Sequence, residues 1–464
     1  MAQNSVKETW SLVMDERLYQ RLHIHLFPGD NDEHGAVLLA GMAESPRGIR
    51  LLAREVVLAR DGEDFIPGKR GYRALSGRFV AEISGRCAEE GLVYLSVHNH
   101  RGSTHVHFSG PDLAAHARGY PALLDITNGG PVGALVFAQQ AIAGDIWTAD
   151  LQRHRLQHAQ IVGLHPHKLF PESPSPVPGT SSLYDRQVRL FGDAGQHMLN
   201  QMKVGVIGAG GGGSLVLQML ARLGVGHLIA VDPDRVDTTN LPRIVGTRQR
   251  DVGRAKVEVA KRVAREANSK IRFEAIEGSV IDAEVAYRLT DTDFLFLATD
   301  TMQSRLIFNA LVHQYLIPGI QIGAKVTVEP KTGNVEDVFT VSRLVLPSSG
   351  CLQCNGLISS AQLQQEALNP DERRRQRYII DEEVPDPSVI TLNALSASQA
   401  TNDFLLIMTG LLRSTASAEY IQMHPCERVT ERVNVRSEPT CRTCSDSSGS
   451  RYARGNRARL PCRL

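Results

Sequence analysis

Short apolar runs of strand length alternate with helical spacings along the chain, and a Pro/Ser-rich break divides the pattern in two. Residues 35–44 (GAVLLAGMAE) and 49–59 (IRLLAREVVLA) are nearly continuous apolar runs and predict buried strands. Residues 76–91 carry helical spacing, and residues 92–100 (LVYLSVHNH) predict a strand that ends in polar, ligand-type side chains. A second helix is expected over 110–125, with Pro111 in its first turn, and a further strand over 133–140. Together these elements predict a mixed α/β domain with its chemistry at a strand end.

The break is PESPSPVPGTSS, residues 171–182, poor in apolar positions and expected to be an exposed linker. The stretch before it, 151–170, either closes the first domain or extends the linker. Beyond the break, residues 203–234 read as strand, glycine turn, helix and strand, and 293–300 as a later buried strand ending at Asp300. Strands alternating with helices imply a doubly wound, mostly parallel sheet of the Rossmann-like class. The boundaries that follow are a first domain over 1–160, a linker over 161–182, a second domain over 183–445, and a basic, disordered tail over 446–464.

Composition narrows the reading without directing it. The 464 residues are 42% hydrophobic and 22% charged with a net charge of +1, so bulk charge points to neither nucleic acid nor a membrane surface. No apolar run approaches the ~20 residues that span a bilayer, and MAQNSVKETW lacks a signal-peptide core. Seven cysteines, four of them in two C-x-x-C pairs, suit a reducing cytoplasm and metal binding better than a disulfide framework.

Gly208, Gly210, Gly211, Gly212 and Gly213 follow an apolar strand and open a helix, where glycines let the backbone approach phosphate at a helix N-terminus. Asp232, at the end of the next strand, is placed to accept from a ribose hydroxyl. Alone, that turn would read as a dinucleotide site or simply as a tight turn. Tyr184-Asp-Arg186-Gln187 precedes it, however, and Gly195-Gln196, Asn240-Leu-Pro-Arg243, Gly253-Arg-Ala-Lys256, Ala298-Thr-Asp300 and Arg305 accompany it. In order and spacing this series, with the stretch beginning at Asp386, resembles the ThiF/MoeB/ubiquitin-activating adenylyltransferases over roughly residues 183–445. The resemblance implies ATP-dependent adenylation of the C-terminal glycine of a ubiquitin-like or sulfur-carrier protein. It implies that Arg243 and Lys256 supply cations to the phosphates, that Asn240 positions them, and that Asp300 holds Mg²⁺. Arg186 matches an arginine that reaches into a partner subunit's site, which implies a homodimer. Ile244 stands where the family often has Gln, a departure that touches a supporting contact and not the reaction.

Cys351-Leu-Gln-Cys354 and Cys441-Arg-Thr-Cys444 can supply four thiolates to a closed structural zinc site, as in MoeB-like proteins; a redox pair is the alternative. Of the remaining cysteines, Cys87, Cys426 and Cys462, the best placed to form a thioester is Cys426, although the plainer reading is a buried cysteine. Adenylation is therefore better supported than thioester transfer to a downstream conjugating protein.

In the first domain, His98 and His100 are two apart on a predicted strand and share a face. Asp112 can complete three protein ligands and leave a fourth position open, the pattern of a catalytic zinc, and Glu33 is an upstream carboxylate able to take a proton from water. An upstream Glu, then H-x-H, then S-x-x-D resembles the JAMM (JAB/MPN) metalloprotease motif over roughly residues 20–150. That resemblance makes Glu33 the general base and acid and Ser109 an oxyanion stabiliser. Arg101 replaces a usual Pro, and His105 and His107 read as loop histidines. An inactive scaffold or an H-N-H nuclease are the competing readings, the latter without its ββα context.

Both resemblances point at the same object, the C-terminus of a ubiquitin-like protein, which one domain would trim or release and the other activate. The combination resembles fused proteins of bacterial ubiquitin-like operons, some linked with antiphage defence. Sulfur-carrier adenylation for sulfur transfer, or a non-catalytic scaffold binding a ubiquitin-like protein, are the alternatives.

Overall fold

A computed structural model describes residues 9–30, 32–66, 73–329, 332, 334–368, 387–413 and 419–463. Asp386, where the last stretch of the adenylyltransferase resemblance begins, lies outside them. The chain divides into two compact units, residues 1–176 with 313–316 and 442–459, and residues 177–312 with 317–441 and 460–464.

The first unit runs β1 (Trp10–Asp15), α1 (Glu16–Leu26), β2 (Gly35–Ser45), β3 (Gly48–Leu58), β4 (Phe65–Ile66), β5 (Ala74–Leu75), α2 (Gly77–Glu90), β6 (Val93–Asn99), α3 (Gly110–Ile126), β7 (Val132–Ala138), β8 (Ala141–Trp147), β9 (Arg153–Val162) and β10 (His167–Leu169). The main sheet has the order β1-β3-β2-β6-β7-β8-β9-β10, and a further parallel pairing of β1 with β9 closes it. The continuous apolar run of β2 follows from burial on both faces. Ala36, Leu38 and Ala40 enter one core with β1 and α1, while Val37 and Leu39 enter another with α2 and α3. The same alternation in β6 sends Val93, Leu95 and Val97 to the first core and Tyr94 to the second, so His98 shares the face of Tyr94.

Two expected boundaries move. Residues 161–170, assigned to the linker, belong to this unit, because β9 and β10 pair in the sheet and bury Ile161, Val162 and Leu169. The tail over 446–464 is expected to be disordered because it lacks apolar periodicity; its described residues, 446–463, are folded. Residues up to 459 fall in the first unit, held by irregular polar contacts that no periodicity reports. The Tyr452 hydroxyl donates to Asp15, the residue that caps α1, and the Arg54 guanidinium donates to the carbonyls of Tyr452 and Ser447. Arg454 reaches the Glu90 carboxylate at 2.9 Å, and the Met42 carbonyl accepts from Asn456 N at 2.8 Å. Since Tyr452 is buried, Tyr452→Ala is expected to destabilise this unit by about 3 kcal/mol. Both tryptophans of the chain, Trp10 and Trp147, lie here, so urea denaturation followed by tryptophan fluorescence reads the loss directly.

The second unit runs α4 (Asp185–Gln201), β11 (Lys203–Ile207), α5 (Gly211–Leu223), β12 (His227–Val231), α6 (Lys256–Ala267), β13 (Arg272–Ile276), α7 (Ala283–Tyr287), β14 (Phe294–Leu297), α8 (Met302–Tyr315), β15 (Gly319–Val328), β16 (Val335–Val345), α9 (Ser360–Ala367), α10 (Ile390–Met408), β17 (Glu419–His424) and β18 (Val429–Asn434). Its sheet has the order β13-β12-β11-β14-β15-β16-β17-β18. The first five strands are parallel, as the strand–helix alternation predicts, and β15 to β18 continue antiparallel. Strand order reverses between β11 and β14, which opens a crevice beyond their C-terminal ends, where ligands bind in open α/β sheets. No helix among the described residues is long and apolar enough to cross a membrane.

Candidate functional site

The glycine turn sits at that crevice. Gly208 has φ +95°, and a Cβ there would meet the Ala298 carbonyl at 2.7 Å, so the turn abuts the end of β14 that carries Asp300. A Cβ on Gly213 would fall 1.9 Å from the Gly208 carbonyl, so only glycine lets α5 start this close to the strand. Gly210 caps α5 and Gly211 is its first residue, with the N-terminal amides that suit phosphate. The loop carrying Asn240 and Arg243 is fastened over the same helix end, because Val245 N donates to the Ser214 hydroxyl at 3.2 Å. The Arg243 carbonyl lies 3.6 Å from where a Cβ of Gly211 would be. Asn240 is buried and its amide oxygen accepts from Asp237 N at 3.4 Å, closing the short turn that presents Arg243.

Asp232, the expected ribose partner, is tied to the backbone of the glycine turn. Its carboxylate accepts from Ala209 N at 2.7 Å and from Asp234 N at 2.8 Å, so it anchors the glycine turn from behind. Burial raises its pKa, and those two N–H groups offset part of the rise. Lys256 Nζ is 2.8 Å from Asp234, a residue the sequence reading passed over although it stands two beyond Asp232. Asp300 is exposed at the crevice and Arg186 is exposed on the first turn of α4. Arg305 is driven inward, with burial lowering its pKa, and donates to the Leu357 carbonyl at 3.1 Å. The Glu366 carboxylate accepts from Met302 N and Gln303 N, both at 2.8 Å, capping α8 beside Asp300; no sequence motif flags it.

The thiols of Cys351, Cys354, Cys441 and Cys444 lie within 4.8 Å of one another, with Cys351 Sγ 3.6 Å from Cys354 Sγ and 3.7 Å from Cys441 Sγ. Tetrahedral zinc–thiolate bonds of about 2.3 Å separate sulfurs by about 3.8 Å, so the four fit zinc. Cys351→Ser is expected to release about one zinc equivalent per chain and lower the thermal midpoint, read by elemental analysis and calorimetry. Cys426, expected to be buried, is exposed, whereas Cys87 is buried and its thiol is pushed up to about 12 by burial.

In the first unit, His98, His100 and Asp112 converge. The two Nε2 atoms are 3.2 Å apart, and Asp112 Oδ2 is 3.7 Å from the first and 3.4 Å from the second. Metal–nitrogen bonds of about 2.0–2.1 Å in a tetrahedron set ligands about 3.3 Å apart, so this trio fits a zinc ion with one face open. His100 Nδ1 donates to the His107 carbonyl at 3.1 Å, which leaves Nε2 for a metal. Burial opposes the charge on Asp112, but bonds from His100, His98 and Ser109 outweigh it and hold its carboxyl well below the usual range. Glu33 shares a cleft with His98 and Asp112, and burial raises its pKa while the two histidines pull it down. Ser109, the expected oxyanion stabiliser, caps α3 and donates its hydroxyl to Asp112 Oδ2 at 2.6 Å.

A glycine turn at the switch point of a Rossmann-like sheet, with the loop that carries Arg243 fastened at the same helix end, defines an α/β protein of the nucleotide-binding class. The ThiF family profile matches residues 184–443, more than half of the chain, and the protein belongs to the ThiF family. The SAMP-activating enzyme E1 of Haloferax volcanii is 32% identical over 210 residues, 40% of this chain and 77% of that protein. The molybdopterin-synthase adenylyltransferase of Escherichia coli is 32% identical over 148 residues, 32% of this chain and 59% of that protein. Among solved structures, E. coli MccB with MccA-N7isoASN is similar at 22% identity and a TM-score of 0.47, covering 58% of this chain and 77% of that one. The family match leaves residues 1–183 outside it.

Proposed function

We propose that the second unit adenylates the C-terminal glycine of a sulfur-carrier or ubiquitin-like protein. The glycine carboxylate attacks the α-phosphorus of ATP, pyrophosphate leaves, and an acyl-adenylate remains for a thiol or a sulfur donor to consume. The observation that carries this reading is Arg243 fastened at the glycine turn with Asp300 across the same crevice, in a chain of the ThiF family. ATP carrying Mg²⁺ supplies the activated phosphoryl group; Asn240, Arg243 and Lys256 would hold its phosphates and Asp300 the cation. Lys256 would leave Asp234 for the phosphates, at little cost because Asp234 is exposed. Relatives named for sulfur carriers and for SAMP activation favour a small carrier over a scaffold role. Arg186 would complete the site of a second copy, making the working form a homodimer. ATP–pyrophosphate exchange, with candidate carriers added singly, tests the reading: exchange that requires the terminal glycine supports it, and carrier-independent or absent exchange rejects it.

A second reading concerns the first unit and rests on the His98, His100 and Asp112 trio with Glu33 in the adjoining cleft. This unit would be a JAMM-type zinc peptidase that trims or releases the same carrier. A zinc ion held by the trio supplies Lewis acidity toward the scissile carbonyl. Glu33 would take the proton of the attacking water and return it to the leaving amine. Elemental analysis showing about two zinc equivalents per chain, one lost with His100→Ala, would support it.

A further inference from the structure

Four residues beyond Asp112 on α3 stands a buried histidine that the metal trio does not use. His116 Nδ1 lies 2.8 Å from Asp145 Oδ2. Asp145, itself buried, also accepts from Trp147 Nε1 at 3.1 Å and from Arg153 through Nε at 3.1 Å and Nη2 at 2.9 Å. Burial works against this carboxylate's charge, but its hydrogen bonds outweigh that and hold it at about 2, so it is ionised wherever the protein works. Asp145 Oδ2 can only accept, so the 2.8 Å contact puts a hydrogen on His116 Nδ1, and an imidazole that carries its hydrogen there has its lone pair on Nε2. The ring is also fixed in angle: it stacks on Tyr120 at 4.7 Å and 11°, and meets Phe108 edge-on at 5.0 Å.

His116 lines the same cleft, of about 320 Å³, as Glu33, His98 and Asp112. On α3 the lining positions Asp112, Ala115, His116, Gly119, Tyr120 and Leu123 form one stripe at helical spacing. Ala115 and Gly119 are small and exposed, and nothing stands within 4 Å of where a Gly119 side chain would begin, so a polypeptide backbone can approach. Four helical residues rise about 6 Å, the length of about two residues of extended chain.

We propose that His116, fixed by Asp145, accepts a hydrogen bond from a main-chain N–H of the substrate about two residues from the scissile bond, and so positions an extended peptide in the cleft. This inference rests on the peptidase reading of the first unit. A rotationally locked acceptor lining a cleft selects a donor. The bond would contribute to binding and not to bond cleavage, so its loss should appear in KM.

The test uses the full-length chain loaded with zinc and a fluorophore–quencher peptide carrying Gly-Gly before the scissile bond. His116→Leu should raise KM about tenfold and leave kcat within about twofold, while His116→Gln, which keeps an acceptor, should stay near wild type. Asp145→Ala, which frees the ring that Asp145 fixes, should raise KM as His116→Leu does. N-methylation of the peptide two residues from the scissile bond should weaken wild type about tenfold and His116→Leu no further. Equal sensitivity of both proteins to N-methylation, or a fall in kcat at constant KM, overturns the proposal. Should wild type cleave no peptide, the peptidase reading fails on its own. The proposal is then judged by anisotropy of a labelled peptide on zinc-loaded Glu33→Gln, with and without the added His116→Leu change. Tighter binding by the protein that keeps His116 sustains it, and equal or absent binding overturns it.

Discussion

Arg243→Ala should reduce carrier-dependent ATP–pyrophosphate exchange by about 10²–10³-fold with the fold intact, the size expected when a fixed positive group is removed from a developing phosphoryl charge. Arg243 N donates to the Asn240 carbonyl at 3.0 Å, and the loop is tied to α5 through Ser214, so the side chain is carried by a backbone that does not depend on it. Truncation therefore removes charge without undoing the turn, and a circular dichroism spectrum should be unchanged. The effect should fall on kcat more than on the KM for ATP, since the cation matters most when charge migrates toward pyrophosphate. Lys256→Ala should cost less: its ammonium already sits on Asp234, and part of its interaction with phosphate is offset by the pair it gives up. Equal losses for the two variants would assign Arg243 no special place at the reacting phosphorus.

That site is legible in the sequence because its parts are local. Gly208 through Gly213 and Asp232 follow strands whose period is plain, while Asn240 and Arg243 lie in the loop between β12 and α6 and are flagged by their order in the ThiF-like series. What escapes are jobs set by long-range contacts. Asp232 reads as a ribose partner from its position, and its bonds to the N–H groups of Ala209 and Asp234 are set only in the folded turn. Glu366 reaches the start of α8 from more than sixty residues away, and no spacing announces that. The final residues read as disordered because they lack apolar periodicity. They are held instead by Arg54, Asp15 and Glu90, partners whose own positions give no reason to expect them. The metal trio is readable because H-x-H on a strand and S-x-x-D at a helix start fix side-chain direction by backbone geometry alone. His116 with Asp145 is not, because a helix residue and a strand residue 29 apart share no motif.

Glu33→Gln should leave the zinc content of the first unit unchanged and reduce peptide hydrolysis by about 10²–10⁴-fold, the range general base catalysis supplies. The prediction separates two jobs that a loss of activity alone would merge. His98, His100 and Asp112 converge without help from Glu33: His100 is set by the His107 carbonyl and Asp112 by Ser109. A neutral amide at position 33 keeps size and hydrogen bonding but cannot accept the proton of water, so binding and chemistry come apart. Asp112→Asn should instead lose both zinc and hydrolysis, because the carboxylate gives way to a weaker ligand and its bond from Ser109 loses its charge. Ser109→Ala is the intermediate case. It strips the cap from α3 and the bond from Asp112 together, so zinc should bind more weakly and α3 should lose about 1 kcal/mol. Each variant is scored by elemental analysis beside hydrolysis. Zinc loss from Glu33→Gln would make Glu33 a ligand and not a base, and full hydrolysis by Glu33→Gln would remove the peptidase reading while leaving adenylation untouched.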